Sequence, residues 1–139
     1  MLVGAVLPAA LLGLASCLSA GGPCVHEYHD PALVIETVGN PRPPVVNLHG
    51  ILIDGRDPGG LAPLLSGPSF GATAVGDTIR CVGRCGFGTT EGRFSFTATA
   101  AGFRPQQVEV NVRYRDLDGG CPSSNAGSTE YRLGLSPGP

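Results

Sequence analysis

The stretch Gly92-Arg93-Phe94-Ser95-Phe96-Thr97-Ala98-Thr99-Ala100 decides the fold. Phe94, Phe96, Ala98 and Ala100 share one parity, while Arg93, Ser95, Thr97 and Thr99 share the other. Alternation with a period of two places one set of side chains on a buried face and the other in water, which is the pattern of a half-buried strand. Residues 108 to 115 repeat it, with Val108, Val110, Val112 and Tyr114 inward and Glu109, Asn111, Arg113 and Arg115 outward. The two segments are expected to form an antiparallel hairpin across residues 102 to 107. Matching their buried faces sets Phe94 against Tyr114, Phe96 against Val112 and Ala98 against Val110.

Further strands flank this pair. Residues 129 to 135 point Tyr131, Leu133 and Leu135 inward, and residues 32 to 38 form a β-branched run that Gly39-Asn40-Pro41 ends. In residues 45 to 53, Val46 and Leu48 begin on one face, then Ile51 and Ile53 take over, so a β-bulge is expected at Gly50. Residues 77 to 82 read as a strand, followed by a turn from Cys81 to Cys85. Residues 54 to 76 are rich in Gly, Pro and Asp and read as a long loop whose apolar part is Leu61 to Leu65. About five to seven strands, turn signals throughout and no helix after residue 16 favour an all-β, antiparallel β-sandwich.

Composition agrees with one domain. The 22 Gly and 13 Pro among 139 residues lean toward low complexity, yet the regular alternation reads as strands joined by turns. Net charge is -2, Lys is absent, and the arginines are scattered among the acids, so the chain carries no nucleic-acid footprint.

Residues 2 to 16, LVGAVLPAALLGLAS, are apolar, uncharged, short for a bilayer span and interrupted by Pro8, which describes the core of an export segment. Its end, Leu14-Ala15-Ser16-Cys17, resembles the bacterial lipobox, in which small residues precede a cysteine that receives lipid, palmitate included, and becomes the mature N-terminus. The resemblance implies a lipoprotein signal peptide at residues 1 to 16, lipid attachment at Cys17, a tether over residues 17 to 31 and a β-sandwich domain over residues 32 to 139. An ordinary secretory peptide cut nearby is the alternative, and it also exports the domain. With Leu18 and not Asp after the cysteine, lipoprotein sorting implies the outer membrane in a cell that has two membranes.

The run Glu91-Gly-Arg-Phe-Ser-Phe-Thr-Ala-Thr-Ala-Ala-Gly-Phe-Arg-Pro105, followed by the alternating Val108 strand, is similar to carboxypeptidase regulatory-like and transthyretin-like (prealbumin-like) sandwich domains. Those families share a Gly-aromatic strand start, an Ala-Gly-aromatic corner and a valine-rich strand. The resemblance implies a seven-stranded, transthyretin-like or Ig-like sandwich used as an accessory or ligand-binding module and rarely as a catalyst. It assigns no binding residue.

Setting Cys17 aside leaves Cys24, Cys81, Cys85 and Cys121, an even number that suits disulfides in an oxidising compartment. Extending the hairpin register outward favours Cys85 with Cys121, which leaves Cys24 with Cys81. A Cys81 to Cys85 bond is the rival pairing and closes a small loop.

Candidate sites are few. Cys24, His26, Glu27, His29 and Asp30 include the ligand types of copper and zinc, although His26 and His29 fall on opposite faces of an extended segment. Gly67-Pro68-Ser69-Phe70-Gly71 fits the G-x-S-x-G pattern, whose chemistry needs a strand before the Ser, a helix after it and a larger α/β domain. Asp54 with Asp57, and Asp116 with Asp118, are partial calcium-like spacings better explained as Asp-containing turns. His49 is assigned to the sheet surface. The resulting expectation is a non-catalytic, lipid-tethered envelope module without a cofactor, whose partners are the membrane and an envelope protein or small ligand. A copper- or zinc-binding envelope protein using the His26/His29 cluster, with Cys24 as a further candidate ligand, is the alternative.

Overall fold

In the computed structural model, residues 30–114 and 127–138 are described. Seven strands, β1 (Leu33–Val38), β2 (Val45–Ile53), β3 (Phe70–Val75), β4 (Thr78–Phe87), β5 (Gly92–Thr99), β6 (Gln106–Val112) and β7 (Thr129–Gly134), accompany one short helix, α1 (Ala62–Leu65). They form a single sheet in the order β6-β5-β2-β4-β1-β7, with β3 attached to β4. All pairings are antiparallel except that of β1 with β7.

The sheet curls into a nearly closed barrel, and its two terminal strands meet at both ends. At one end the Thr129 hydroxyl accepts the Arg113 N–H at 2.8 Å and donates to the Arg113 carbonyl at 2.7 Å. At the other, the Arg104 N–H donates to Ser136 O at 2.8 Å and the Gly138 N–H donates to Gly102 O at 2.9 Å. One threonine side chain and the tail after β7 thus satisfy polar groups that two sheet edges would otherwise leave to solvent.

Alternation fills the interior. Phe94, Phe96, Ala98 and Ala100 are buried, as are Val108, Val110 and Val112 from β6, Val46, Leu48 and Ile51 from β2, and Leu133 and Leu135 from the last strand and its extension. Tyr114 and Tyr131 pack against this core while staying partly exposed. The Phe87 and Phe94 rings sit 6.5 Å apart at 40°, a tilted contact favoured by the aromatic quadrupole. The bulge in β2 is present, because the ladder to β5 shifts between His49 and Leu52.

The fold meets expectation on the first of four points and departs from it on the other three. First, the expected all-β, mostly antiparallel architecture is present, and its seven strands are hydrogen-bonded into one continuous sheet curled into a nearly closed barrel. Second, the β5–β6 hairpin is displaced by four residues: Phe94 pairs with Val110, Phe96 with Val108 and Ala98 with Gln106. The connection lies earlier than residues 102 to 107, between Thr99 and Gln106, with a Phe103 N–H to Ala100 O bond of 3.1 Å around Gly102, whose φ of +81° suits a residue without Cβ. Third, residues 54 to 76 contain α1 and β3 in place of a structureless loop. β3 was not legible because nearly all of it is exposed on both faces.

The fourth concerns the cysteines. Cys81 is bonded to Cys85, so neither Cys24 with Cys81 nor Cys85 with Cys121 is formed. The expected turn after residue 82 is instead a bulge within one continuous strand. Phe70 pairs with Gly86 and Ala72 with Cys81, so a two-residue advance on β3 matches a five-residue advance on β4. Val82, Gly83 and Arg84 are pushed outward, with Gly83 at a φ of +63°. The Cα atoms of Cys81 and Cys85 consequently lie 5.5 Å apart, whereas four residues of straight strand span about 13 Å. The extrapolated register failed because β4 does not continue the β5–β6 hairpin; β5 pairs with β2 and β6.

Phe96→Ala is expected to lower stability by about 3–5 kcal/mol, the range for truncating a buried aromatic, as measured by urea unfolding. Tryptic mapping without reduction is expected to yield peptides 81–84 and 85–93 joined by a disulfide that reduction separates. A link from either to a peptide carrying Cys24 or Cys121 contradicts the fold.

Candidate functional site

His49 lies on the outward face of β2, where the ladders on each side fix its neighbours. Toward β4, Asn47 pairs with Arg80 and Leu48 with Ile79, which brings Thr78 beside His49. Toward β5, Asn47 pairs with Thr99 and His49 with Thr97. β3 adds Val75, paired with Thr78. Val45, Asn47, His49, Val75, Thr78 and Arg80 line an open groove of about 400 Å³.

Both imidazole nitrogens are engaged. His49 Nε2 is 2.7 Å from Thr99 Oγ1, and Nδ1 is 3.1 Å from Thr78 Oγ1. The Thr78 hydroxyl also donates to Asp77 Oδ1 at 3.3 Å. One assignment satisfies all three contacts: Nδ1–H donates to Thr78, and Nε2 accepts from Thr99. The line from Asp77 through Thr78 and His49 to Thr99 has the connectivity of a general-base relay. Acyl-transfer chemistry additionally calls for preorganised donors in a site that excludes water, and this groove is open to solvent.

Two further concavities exist. One, of about 400 Å³, lies where the β2 bulge meets the following loop and includes Gly50, Leu52, Asp57 and Asp77. The other, of about 460 Å³, lies beside the disulfide-stapled bulge and includes Arg42, Pro44, Val82 and Arg84. Arg84 is held there by Glu130 at 2.9 Å and by the Phe70 ring at 5.4 Å from its centroid.

The sites named from the sequence fare differently. Cys17, Cys24, His26, Glu27, His29, Asp116, Asp118 and Cys121 lie outside the described residues. Among the described residues no group of three or more His, Cys, Asp or Glu could hold a metal ion, and no helix is long and apolar enough to cross a membrane. Ser69 is exposed and stands after α1 and before β3, the reverse of the strand–Ser–helix order of a nucleophile elbow. Asp54 serves a turn: Ile53 and Arg56 exchange backbone hydrogen bonds around Asp54-Gly55, both at positive φ, and the Asp54 carboxylate accepts the Arg93 N–H at 2.9 Å. Asp57 Oδ1 accepts the N–H groups of Gly59 at 2.8 Å and Gly60 at 3.0 Å.

Thr78, Arg80 and Thr99 were missed as companions of His49. No local motif joins positions so far apart in sequence; only the strand order and register bring them together. Comparisons with protein-family models, curated proteins and solved structures each gave no match.

The backbone donors of Gly60 and then Gly59 hold the Asp57 carboxyl below its ordinary value of 3.8. A group with a depressed folded pKa contributes stability that is present above its unfolded value and lost as pH falls through the folded one. An NMR titration of the Asp57 side chain is expected to give a midpoint below 3.8, and the protection of the Gly59 and Gly60 amides, relative to their intrinsic exchange rates, to be lost as pH falls through that midpoint. A midpoint at or above 3.8 contradicts the turn geometry.

Proposed function

We propose that the chain is a non-catalytic, lipid-tethered module of the cell envelope that binds an envelope protein or a small ligand. The observation that carries this reading is the buried Cys81–Cys85 disulfide. Such bonds belong chiefly to oxidising compartments, and export is what the apolar run ending at Leu14-Ala15-Ser16-Cys17 would achieve. Cys17 carries the lipid in this reading, and Leu18 directs the protein to the outer membrane where the cell has two.

We read the barrel-like sheet as a transthyretin-like or Ig-like sandwich whose two layers share a bent strand. Support comes from β4, whose residues 79 to 82 ladder with β2 while residues 85 to 87 ladder with β1. A binding role is supported by the open groove around His49, which mixes polar side chains with valine surface.

Growth with an alkyne-tagged palmitate analogue is expected to label the wild-type chain and retain it in the membrane fraction. Cys17→Ala is expected to abolish both. Labelling that persists in Cys17→Ala overturns the anchor, and a hydrolytic activity of the purified protein that is lost in Ser69→Ala or His49→Ala overturns the non-catalytic reading.

A further inference from the structure

The groove beside His49 has a chemical character that narrows what it can hold. Arg80 is the only formally charged side chain lining it. Among the described residues Arg80 and the Asn47 side chain make no hydrogen bond or ion pair. The carboxylate of Asp77, next in sequence to Thr78, accepts the Thr78 hydroxyl and lines the neighbouring concavity, not this groove. His49 is held in place by the two threonine hydroxyls, so its ring forms a fixed part of the wall. Val75, 56% exposed, and the half-buried Val45 supply apolar surface within the same groove.

From this juxtaposition of an unpaired guanidinium, a free amide and two valines we infer that the groove binds an aliphatic monocarboxylate, either a free acid or the terminal carboxylate of a peptide. A guanidinium fork matches the planar carboxylate through two parallel N–H donors. One cation balances one anionic charge, whereas a phosphate dianion would call for more. The amide of Asn47 offers a further donor, and the valine methyls cover the aliphatic body. A volume of about 400 Å³ lies at the small end of the range for ligand pockets. The inference rests on reading the domain as a binding module and assigns that role to one surface.

The full chain, methyl-labelled and held in detergent, would be titrated by NMR with sodium hexanoate, with N-acetylvaline as a mimic of a peptide end, and with hexanamide, which keeps the aliphatic body and lacks the charge. Ionic strength would be matched with sodium chloride. The expected result is a saturable shift of the Val45 and Val75 methyls and the Asn47 amide with a carboxylate and none with hexanamide. The tighter of the two acids identifies the source. Arg80→Gln is expected to weaken the binding about tenfold or more, the scale of a lost charge-assisted hydrogen bond, while Arg104→Gln, an exposed arginine away from the groove, leaves it unchanged. Shifts that never saturate, an equal response to hexanamide, or unaltered binding in Arg80→Gln would overturn the assignment. None of those outcomes bears on lipidation at Cys17, so the groove and the envelope reading fail separately.

Discussion

β4 has to serve two sets of neighbours, and the rest of the barrel depends on how it does so. Its first half ladders with β2, its second half with β1, and β3 runs along the opposite edge of both. A straight strand could not present one edge to two strands that diverge into different walls. The protrusion of Val82, Gly83 and Arg84 supplies the bend, and the Cys81–Cys85 bond closes its base with both cysteines buried in the core. A bulge bends a strand and raises its local twist. Here that bend carries the sheet from the β2-β5-β6 wall to the β1-β7 wall, after which the edges of β6 and β7 meet.

Much of this was legible in the sequence, for a reason that also marks its limit. Side-chain alternation has a period of two, so it assigns each residue to a face without assigning it a partner. Phe94, Phe96, Val108, Val110 and Val112 were placed inward and are inward. Their pairing was displaced by four residues, and an even displacement leaves every face unchanged. Register is set by the turn, and the Gly102 turn closes earlier than the strand pattern suggests. β3 carried no alternation because it packs as an outlying edge. The stretch from Cys81 to Cys85 was read as a turn after a strand, whereas it bends one continuous strand.

The cysteines and His49 show the same boundary from the side of chemistry. Pairing Cys85 with Cys121 assumed that the hairpin continues into β4, which the strand order excludes. His49 was correctly placed on the outer face, yet Thr78, Arg80 and Thr99 come to it from two other strands through long-range pairing. The groove is therefore a product of topology, and no short motif could announce it. Asp54 and Asp57 were the opposite case as turns, because Asp-Gly and Asp-Pro-Gly encode local reversals and the Asp57 carboxylate accepts the N–H groups two and three residues on.

The division of β4 between two neighbours is tested most directly by inter-strand nuclear Overhauser contacts in the oxidised protein. The fold requires backbone contacts from Ile79–Cys81 to residues 46–48, and separate contacts from Cys85–Phe87 to residues 33–35. Contacts from Cys85–Phe87 to β2, or to β6 in continuation of the hairpin, would contradict the bent strand and the barrel built on it.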